Sequence, residues 1–371
     1  MTIRKILATL LALSMTLSLA ACGGNSTQTD TTAPSEQTEQ TEEAPTESDE
    51  SAAENTETET PADETEASEP AEKVDINLAA LSGPTALGML DLLEKNENGE
   101  AANNYNVTIA TAPDEVTGKI ISGELDIAAV PTNVAATLYN KTEGQVQIAA
   151  LNTMGVLYVL ETGDTIQSVA DLAGKTIYAT GQGSTPEYAL NLVLEKNGLT
   201  PGEDVEIVFA ADNAEIAPLL ASGEAQVALL PQPFVTSVLT QNENVRVALD
   251  LTEEWDKAVN GESGLTMGCV VVRKEFAEQN KEALDRFLDE YKQSVETVTS
   301  EEGLAHAAEL AEHYNIIKAA VAEKAIPECN IVFVEGDEMQ QIAGGFLQVL
   351  YDANPQAVGG QLPNDDFYYK R

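Results

Sequence analysis

Five short segments carry the side chains whose types and spacing suit ligand binding: Ser82-Gly83-Pro84-Thr85, Pro131-Thr132-Asn133, Asn152-Thr153-Met154, Gly181-Gln182-Gly183-Ser184-Thr185-Pro186-Glu187-Tyr188 and Pro231-Gln232-Pro233. Four of them join glycine or proline to small hydroxyls or amides, Asn152-Thr153-Met154 offers the amide and hydroxyl alone, and all lie where the pattern turns from strand to helix. Free N–H groups and the dipole at a helix start favour a negative or partly negative group, so such turns hold a carbonyl, carboxylate, sulfonate or phosphate without a basic side chain. None of the five contains Lys, Arg or His. Taken singly, each turn reads equally well as ordinary helix capping, with Ser, Thr or Asn as cap and Pro in the first turn. Their convergence on one cleft is what points to binding by Ser82, Gly83, Pro84, Thr85, Pro131, Thr132, Asn133, Asn152, Thr153, Gln182, Gly183, Ser184, Thr185, Gln232 and Pro233. Of the aromatics near the cleft or hinge (Tyr139, Tyr158, Tyr178, Tyr188, Phe234, Trp255), Tyr188 is the candidate to stack on a ligand, one helical turn after Thr185.

Catalytic chemistry finds no comparable constellation. The two histidines, His306 and His313, fall on one face of a C-terminal helix, far in sequence from every turn above. No HExxH, GxSxG, CxxC or GK[ST] motif is present, and the Gly181-x-Gly183 pair lacks the third glycine of a dinucleotide fingerprint. The acid pairs Asp114-Glu115, Glu253-Glu254 and Asp365-Asp366 read as solvated. The reading is a non-enzyme with no cofactor and no metal.

The elements that position these turns form a repeated plan. From Val74 the chain alternates short apolar strands with helices: strand 74–81, helix 84–95, strand 107–111, a helix ending near Gly123, strand 125–130, helix 132–141, strand 146–151. This alternation predicts an α/β fold with a parallel sheet and helices on both faces. Ser122-Gly123-Glu124-Leu125-Asp126-Ile127-Ala128-Ala129-Val130-Pro131 then recurs as Ser222-Gly223-Glu224-Ala225-Gln226-Val227-Ala228-Leu229-Leu230-Pro231. Leu93–Asn96 recurs as Leu194–Asn197, and Val107–Ile109 as Val205–Ile207. Three matches in one order at nearly one offset predict two pseudo-equivalent lobes, 74–160 and 161–262, with 263–371 returning to lobe one as helices (274–298, 302–313, 316–325, 336–352) and a closing strap. The strands 155–161 and 265–272 make a two-strand hinge, and a hinge between two sheets makes a ligand cleft.

Charge divides the chain further. Its 371 residues carry 62 acids and 19 Lys+Arg, a net −43. Residues 1–22 hold +2, residues 23–73 hold −15 and the remainder −30, which excludes nucleic acid and anionic lipid as partners of the body. A positive start followed by the apolar run Ile6–Ala21 reads as a signal peptide over 1–21, and Leu19-Ala20-Ala21-Cys22 resembles a lipobox with Cys22 as the lipidated residue. Residues 22–73, rich in Thr and Glu, have no side chain able to build a core and read as a disordered tether with a reach of about 40 Å. Cys269 and Cys329 remain, as one disulfide or two buried thiols.

The lipobox, the SGELD and SGEAQ repeats, GSTPEYAL, LPQPFV and the closing Val358–Tyr369 resemble ABC-importer solute-binding lipoproteins of the NMT1/THI5-like group, across essentially all of 74–371. That group serves importers for sulfonates, taurine, nitrate and thiamine-pyrimidine precursors. The resemblance implies a type II periplasmic-binding-protein fold, a small organic solute, delivery to ABC permease subunits, and a monomer on the outer face of the cell membrane, touching it only through the lipid on Cys22. Synthase members of the group use His and Cys near the cleft, which this chain lacks there. An absence of Arg from the turns favours a neutral or weakly charged solute, unless Arg246 or Arg273 folds inward. The alternative from another class is a sensing or adhesion lipoprotein that binds a protein with the same fold.

Overall fold

The computed structural model describes residues 72–111 and 113–371; the signal peptide, Cys22 and the tether up to residue 71 lie outside the described residues. Eleven strands are described: β1 (Asp75–Leu81), β2 (Asn104–Ala110), β3 (Ile127–Pro131), β4 (Val146–Met154), β5 (Leu157–Thr162), β6 (Thr176–Ala179), β7 (Glu206–Phe209), β8 (Val227–Pro231), β9 (Val245–Asp250), β10 (Thr266–Arg273) and β11 (Ile331–Val334). They form two sheets, ordered β2-β1-β3-β10-β4-β11 and β7-β6-β8-β5-β9. The first five positions of one sheet match the five of the other. The repeats occupy equivalent places: each SGE segment ends a helix at a left-handed glycine (Gly123, φ 80°; Gly223, φ 78°) and leads into β3 or β8. That conformation costs glycine little and ends the helix while turning the chain into the strand.

The parallel expectation holds for β1, β2 and β3 and for β6, β7 and β8. It fails for the fourth strand of each sheet. β10 runs antiparallel to β3 and β4, and β5 antiparallel to β8 and β9. The physical reason is an exchange: β5 follows β4 directly but inserts into the second sheet, and β10 returns from the second lobe into the first. The strand expected to leave lobe one up to residue 160 therefore belongs to the second sheet, and the crossing falls at Gly155-Val156.

Two expected helices are broken. The 84–95 stretch is a short helix, Pro84–Leu87, and a second, Leu90–Glu97. Gly88 sits between them, where an added Cβ would lie 3.1 Å from Ile331 and 3.2 Å from the Tyr291 hydroxyl. The 274–298 stretch breaks at Asn280 into Lys274–Gln279 and Lys281–Thr299. The edge strand β11, four residues long, is an element that the helical reading of the C-terminal part passes over.

Apolar packing explains the layering. One cluster fills the face of the first sheet covered by the C-terminal helices, including Leu284, Phe287, Leu288 and Tyr291. A smaller one, with Ile216, Leu220 and Leu230, fills one face of the second sheet. The largest runs through both lobes and includes Trp255. Trp255 lies on the Leu251–Ala258 helix, fully buried, with its ring 5.5 Å from Phe346 of the Gly336–Ala353 helix. Its Nε1 donates to the Ser263 carbonyl at 2.9 Å. The strap is fastened to lobe one: Tyr369 N donates to Ile148 O, and Arg371 pairs with Glu335 and Asp289. Cys269 and Cys329 are both free and buried, not a disulfide, and burial raises both thiols above their ordinary range.

Candidate functional site

The C-terminal ends of the parallel strands of both sheets converge on a cavity of about 660 Å³. Ser82 follows β1, Thr111 follows β2 and Pro131 ends β3; from the other lobe, the Thr180–Ser184 turn follows β6, Phe209 ends β7 and Ala210–Asn213 follows it, and Pro231 ends β8. Ligands of open α/β sheets sit at these strand ends. Of the residues singled out from sequence, Ser82, Pro131, Gln182, Gly183 and Ser184 line this cavity.

The others stand behind the wall, mostly with their polar groups engaged. Asn133 and Thr185 are buried and bind each other across the lobes: Thr185 Oγ1 donates to Asn133 Oδ1 at 3.1 Å, and Asn133 Nδ2 donates to Gly183 O and Ala357 O. They clasp the lobes together beneath the cavity. Thr132 Oγ1 lies 3.1 Å from Thr266 Oγ1, joining a helix start to β10. Thr85 Oγ1 donates to Leu81 O, and Gln232 Oε1 accepts from Thr236, each serving its own turn. Gly83 and Pro84 open the short first helix, and Pro233 precedes the Phe234–Gln241 helix. Asn152 and Thr153 are buried, with Thr153 Oγ1 donating to Asn152 Oδ1. Tyr188 is absent from the cavity wall; its ring packs on the large apolar cluster, and burial raises its phenol above the usual range. The aromatic ring at the wall is Phe209.

The glycine turn is built for its own helix as much as for a ligand. Gly181 and Gly183 have φ of 77° and 75°, and a Cβ at Gly181 would lie 2.8 Å from Ser184 Oγ. Ser184 Oγ donates to Gly181 O, and Gly183 N donates to the Glu187 carboxylate. On this side of the cavity, that leaves Gln182 and the remaining backbone of the turn uncommitted.

Two regions of the wall were not among the expected residues. Phe209 ends β7 and Ala210–Asn213 follows it by the same strand-to-helix rule, and the Val107/Val205 repeat places this segment opposite Thr111. Asp212 is the cap of the Asn213–Ser222 helix, its Oδ1 accepting from Ala214 N at 2.8 Å. The second region is the flank of two helices, Pro113–Ser122 and Thr132–Lys141, whose Asp114, Thr117, Ile121, Val134, Leu138 and Lys141 border the cavity. Their signal was an i, i+3, i+4, i+7 stripe, which in sequence is indistinguishable from a core-facing one.

Arg246 and Arg273 do not line the cavity. Arg246 Nη2 is 2.6 Å from buried Glu161, and Arg273 Nη2 is 2.9 Å from Asp126. Among the described residues that line the cavity, Lys141 is the one basic side chain, against Asp114 and Asp212. His306 and His313 pair with Glu94 and Glu97 on the surface of lobe one. Among the described residues, no group of three or more His, Cys, Asp or Glu is placed to hold a metal ion.

Two exchanged α/β sheets with a cavity between their strand ends make a two-lobed protein with room for a solute between the lobes. Residues 92–323 match the family described as ABC transporter, phosphonate, periplasmic substrate-binding protein, and the chain belongs to that family. Its members bind solutes outside the cytoplasm and deliver them to a permease. Among solved structures, an ABC transporter from Parabacteroides distasonis is 25% identical with a TM-score of 0.66, covering 80% of this chain and 99% of that one. The periplasmic aliphatic sulphonate binding protein SsuA from Escherichia coli is 14% identical, with a TM-score of 0.63 over 80% and 92% of the two chains. The alkanesulfonate-binding SsuA from Xanthomonas axonopodis pv. citri, bound to MOPS, is 16% identical, with a TM-score of 0.61 over 79% and 96%. No curated protein matches the chain.

Proposed function

We propose that this protein is the lipid-anchored capture component of an ABC importer, of the NMT1/THI5-like kind, holding a small organic solute between its lobes. The observation that carries the reading is the cavity at the convergent strand ends, whose wall combines the Gly181–Ser184 turn and hydroxyls with a single lysine. With two carboxylates bordering the same space, a multiply charged anion is disfavoured, and a neutral or weakly charged polar head meets the turns. The lipobox cysteine Cys22 and the acidic segment after it supply the anchor and the reach that place the lobes near a permease.

Differential scanning fluorimetry of the full chain against a metabolite panel tests this. One chemical class should raise the melting temperature in a saturable way, because a ligand that binds only the folded state stabilises it by mass action. A panel with no such class, together with unchanged Trp255 emission, contradicts it. Replacing Cys22 by Ser should release the protein from membranes into the soluble fraction.

A further inference from the structure

The inter-lobe cavity does not end at its mouth. Ile121 and Lys141 border both it and a second concavity of about 390 Å³ on the outside of lobe one. They sit at the far ends of the Pro113–Ser122 and Thr132–Lys141 helices, whose starts lie at the strand ends. From Val134 to Lys141 the helix advances about 10 Å along the groove. Ile121 is 52% exposed, an uncovered apolar saddle between the two spaces. Lys141 makes no ion pair with a described residue, whereas Arg273 in the outer space is already held by Asp126 and Glu275.

The second lobe supplies an internal control. At the repeat offset of 100, Asp114, Thr117 and Ile121 correspond to Ala214, Ala217 and Ala221, and Lys141 corresponds to Gln241. The inward residues of the same helices stay apolar and buried in both lobes, Val116 and Ile120 against Ile216 and Leu220. The core face was kept, while the groove face differs: Asp114, Thr117, Ile121 and Lys141 stand where lobe two has three alanines and Gln241.

We infer that the helix groove of lobe one is a second part of the solute site, taking an elongated solute: a polar head at the turns, an apolar body over Ile121, and an anionic end at Lys141. This rests on the cavity being the solute site. The charge pattern along the groove follows the same sense. Asp114 lies at the head end, two turns from Ile121, and Glu275 is neutralised by Arg273, so the free positive charge is at the far end.

The test is isothermal titration of the full chain with monoamides of linear dicarboxylic acids of four to ten carbons, and with the matching diamides. Affinity for the monoamides should rise with length, the best longer member binding about tenfold tighter than the four-carbon one. Installing the lobe-two residues gives Ile121→Ala and Lys141→Gln, both at exposed positions, with folding checked by melting temperature. Lys141→Gln should weaken the long monoamide about tenfold and leave the diamide nearly unchanged. Ile121→Ala should weaken both. Equal affinity along the series, indifference to Lys141→Gln, or no binding by any monoamide overturns the inference. The metabolite panel decides separately whether the cavity takes solutes at all. Reduced uptake with unchanged dissociation constants assigns the groove to the permease and also overturns it.

Discussion

The two lobes share a strand order, a pair of left-handed glycines and a core, yet they differ in what surrounds that shared plan. Lobe two is the bare version: five strands, their helices, and a helix flank of Ala214, Ala217 and Ala221. Lobe one carries Asp114, Thr117 and Ile121 on the equivalent flank, an added edge strand, and the C-terminal helices and strap. Part of the divergence is thus a buried addition, the C-terminal helices packed on one face of the first sheet, and part is the exposed helix flank that borders the cavity. The duplicated core identifies a scaffold; the unmatched residues are the ones on which the proposed groove rests.

The comparison can be broken first where the lobes join. Trp255 comes from lobe two and packs on Phe346 of lobe one, so Trp255→Ala should cost about 3–5 kcal/mol by chemical denaturation. A loss below 1 kcal/mol would mean that the lobes are stabilised independently. Next come the two arginine pairs. Glu161 is 2% exposed and without Arg246 would keep only its bonds from Ile166 N and Thr165 Oγ1, so Arg246→Met should cost about 3 kcal/mol. Arg273→Met exposes a more solvated carboxylate that keeps its bonds from Asn77, and should cost about 1 kcal/mol. Equal losses would remove this difference between the lobes.

The two crossings differ in the same measurable way. A Cβ at Gly155 would lie 2.1 Å from Thr252 Oγ1 and 2.9 Å from its Cβ, a short side chain that cannot swing clear. Gly155→Ala should destabilise by about 2 kcal/mol. At Gly264 the nearest atom is the flexible Met154 Cε at 3.3 Å, and Gly264→Ala should stay within about 0.5 kcal/mol. The smallest effect belongs to an element that lobe two lacks. A hydrogen bond to Glu94 raises the imidazole of His306 above its ordinary value. Its stabilisation is fully present below about pH 6.5 and is lost as pH rises through the raised folded-state value. The melting-temperature gap between wild type and His306→Gln should therefore be wider at pH 5 than at pH 8.5. A gap that widens toward alkaline pH contradicts that origin.

Much of the scaffold was legible in the sequence because its signals are local or repeated. Strand–helix alternation and the SGELDIAAVP/SGEAQVALLP pair locate the elements and their equivalence, since Gly123 and Gly223 must end a helix in the left-handed region in both copies. Strand exchange was not legible, because β5 and β10 look alike whichever sheet they join; pairing is a long-range property. The cavity was half legible. Turn chemistry led to Ser82, Pro131 and Gln182–Ser184, but it could not tell a hydroxyl aimed at a ligand from one such as Thr85 that closes its own turn. Lys141 and Ile121 escaped because a residue late in a helix carries no turn signal, and only the packing of two helices shows which flank borders a space.

Native mass spectrometry of the protein as isolated, beside Ala211→Trp, tests the central claim most directly. Ala211 is exposed in the cavity wall, where an indole would obstruct the space between the lobes without disturbing the core. Wild type should carry one small organic molecule per chain, or acquire one from the metabolite panel, and Ala211→Trp should carry none while remaining folded. A wild-type chain that stays at its bare mass throughout the panel, or an obstructed variant that binds the same molecule equally well, would contradict solute capture between the lobes.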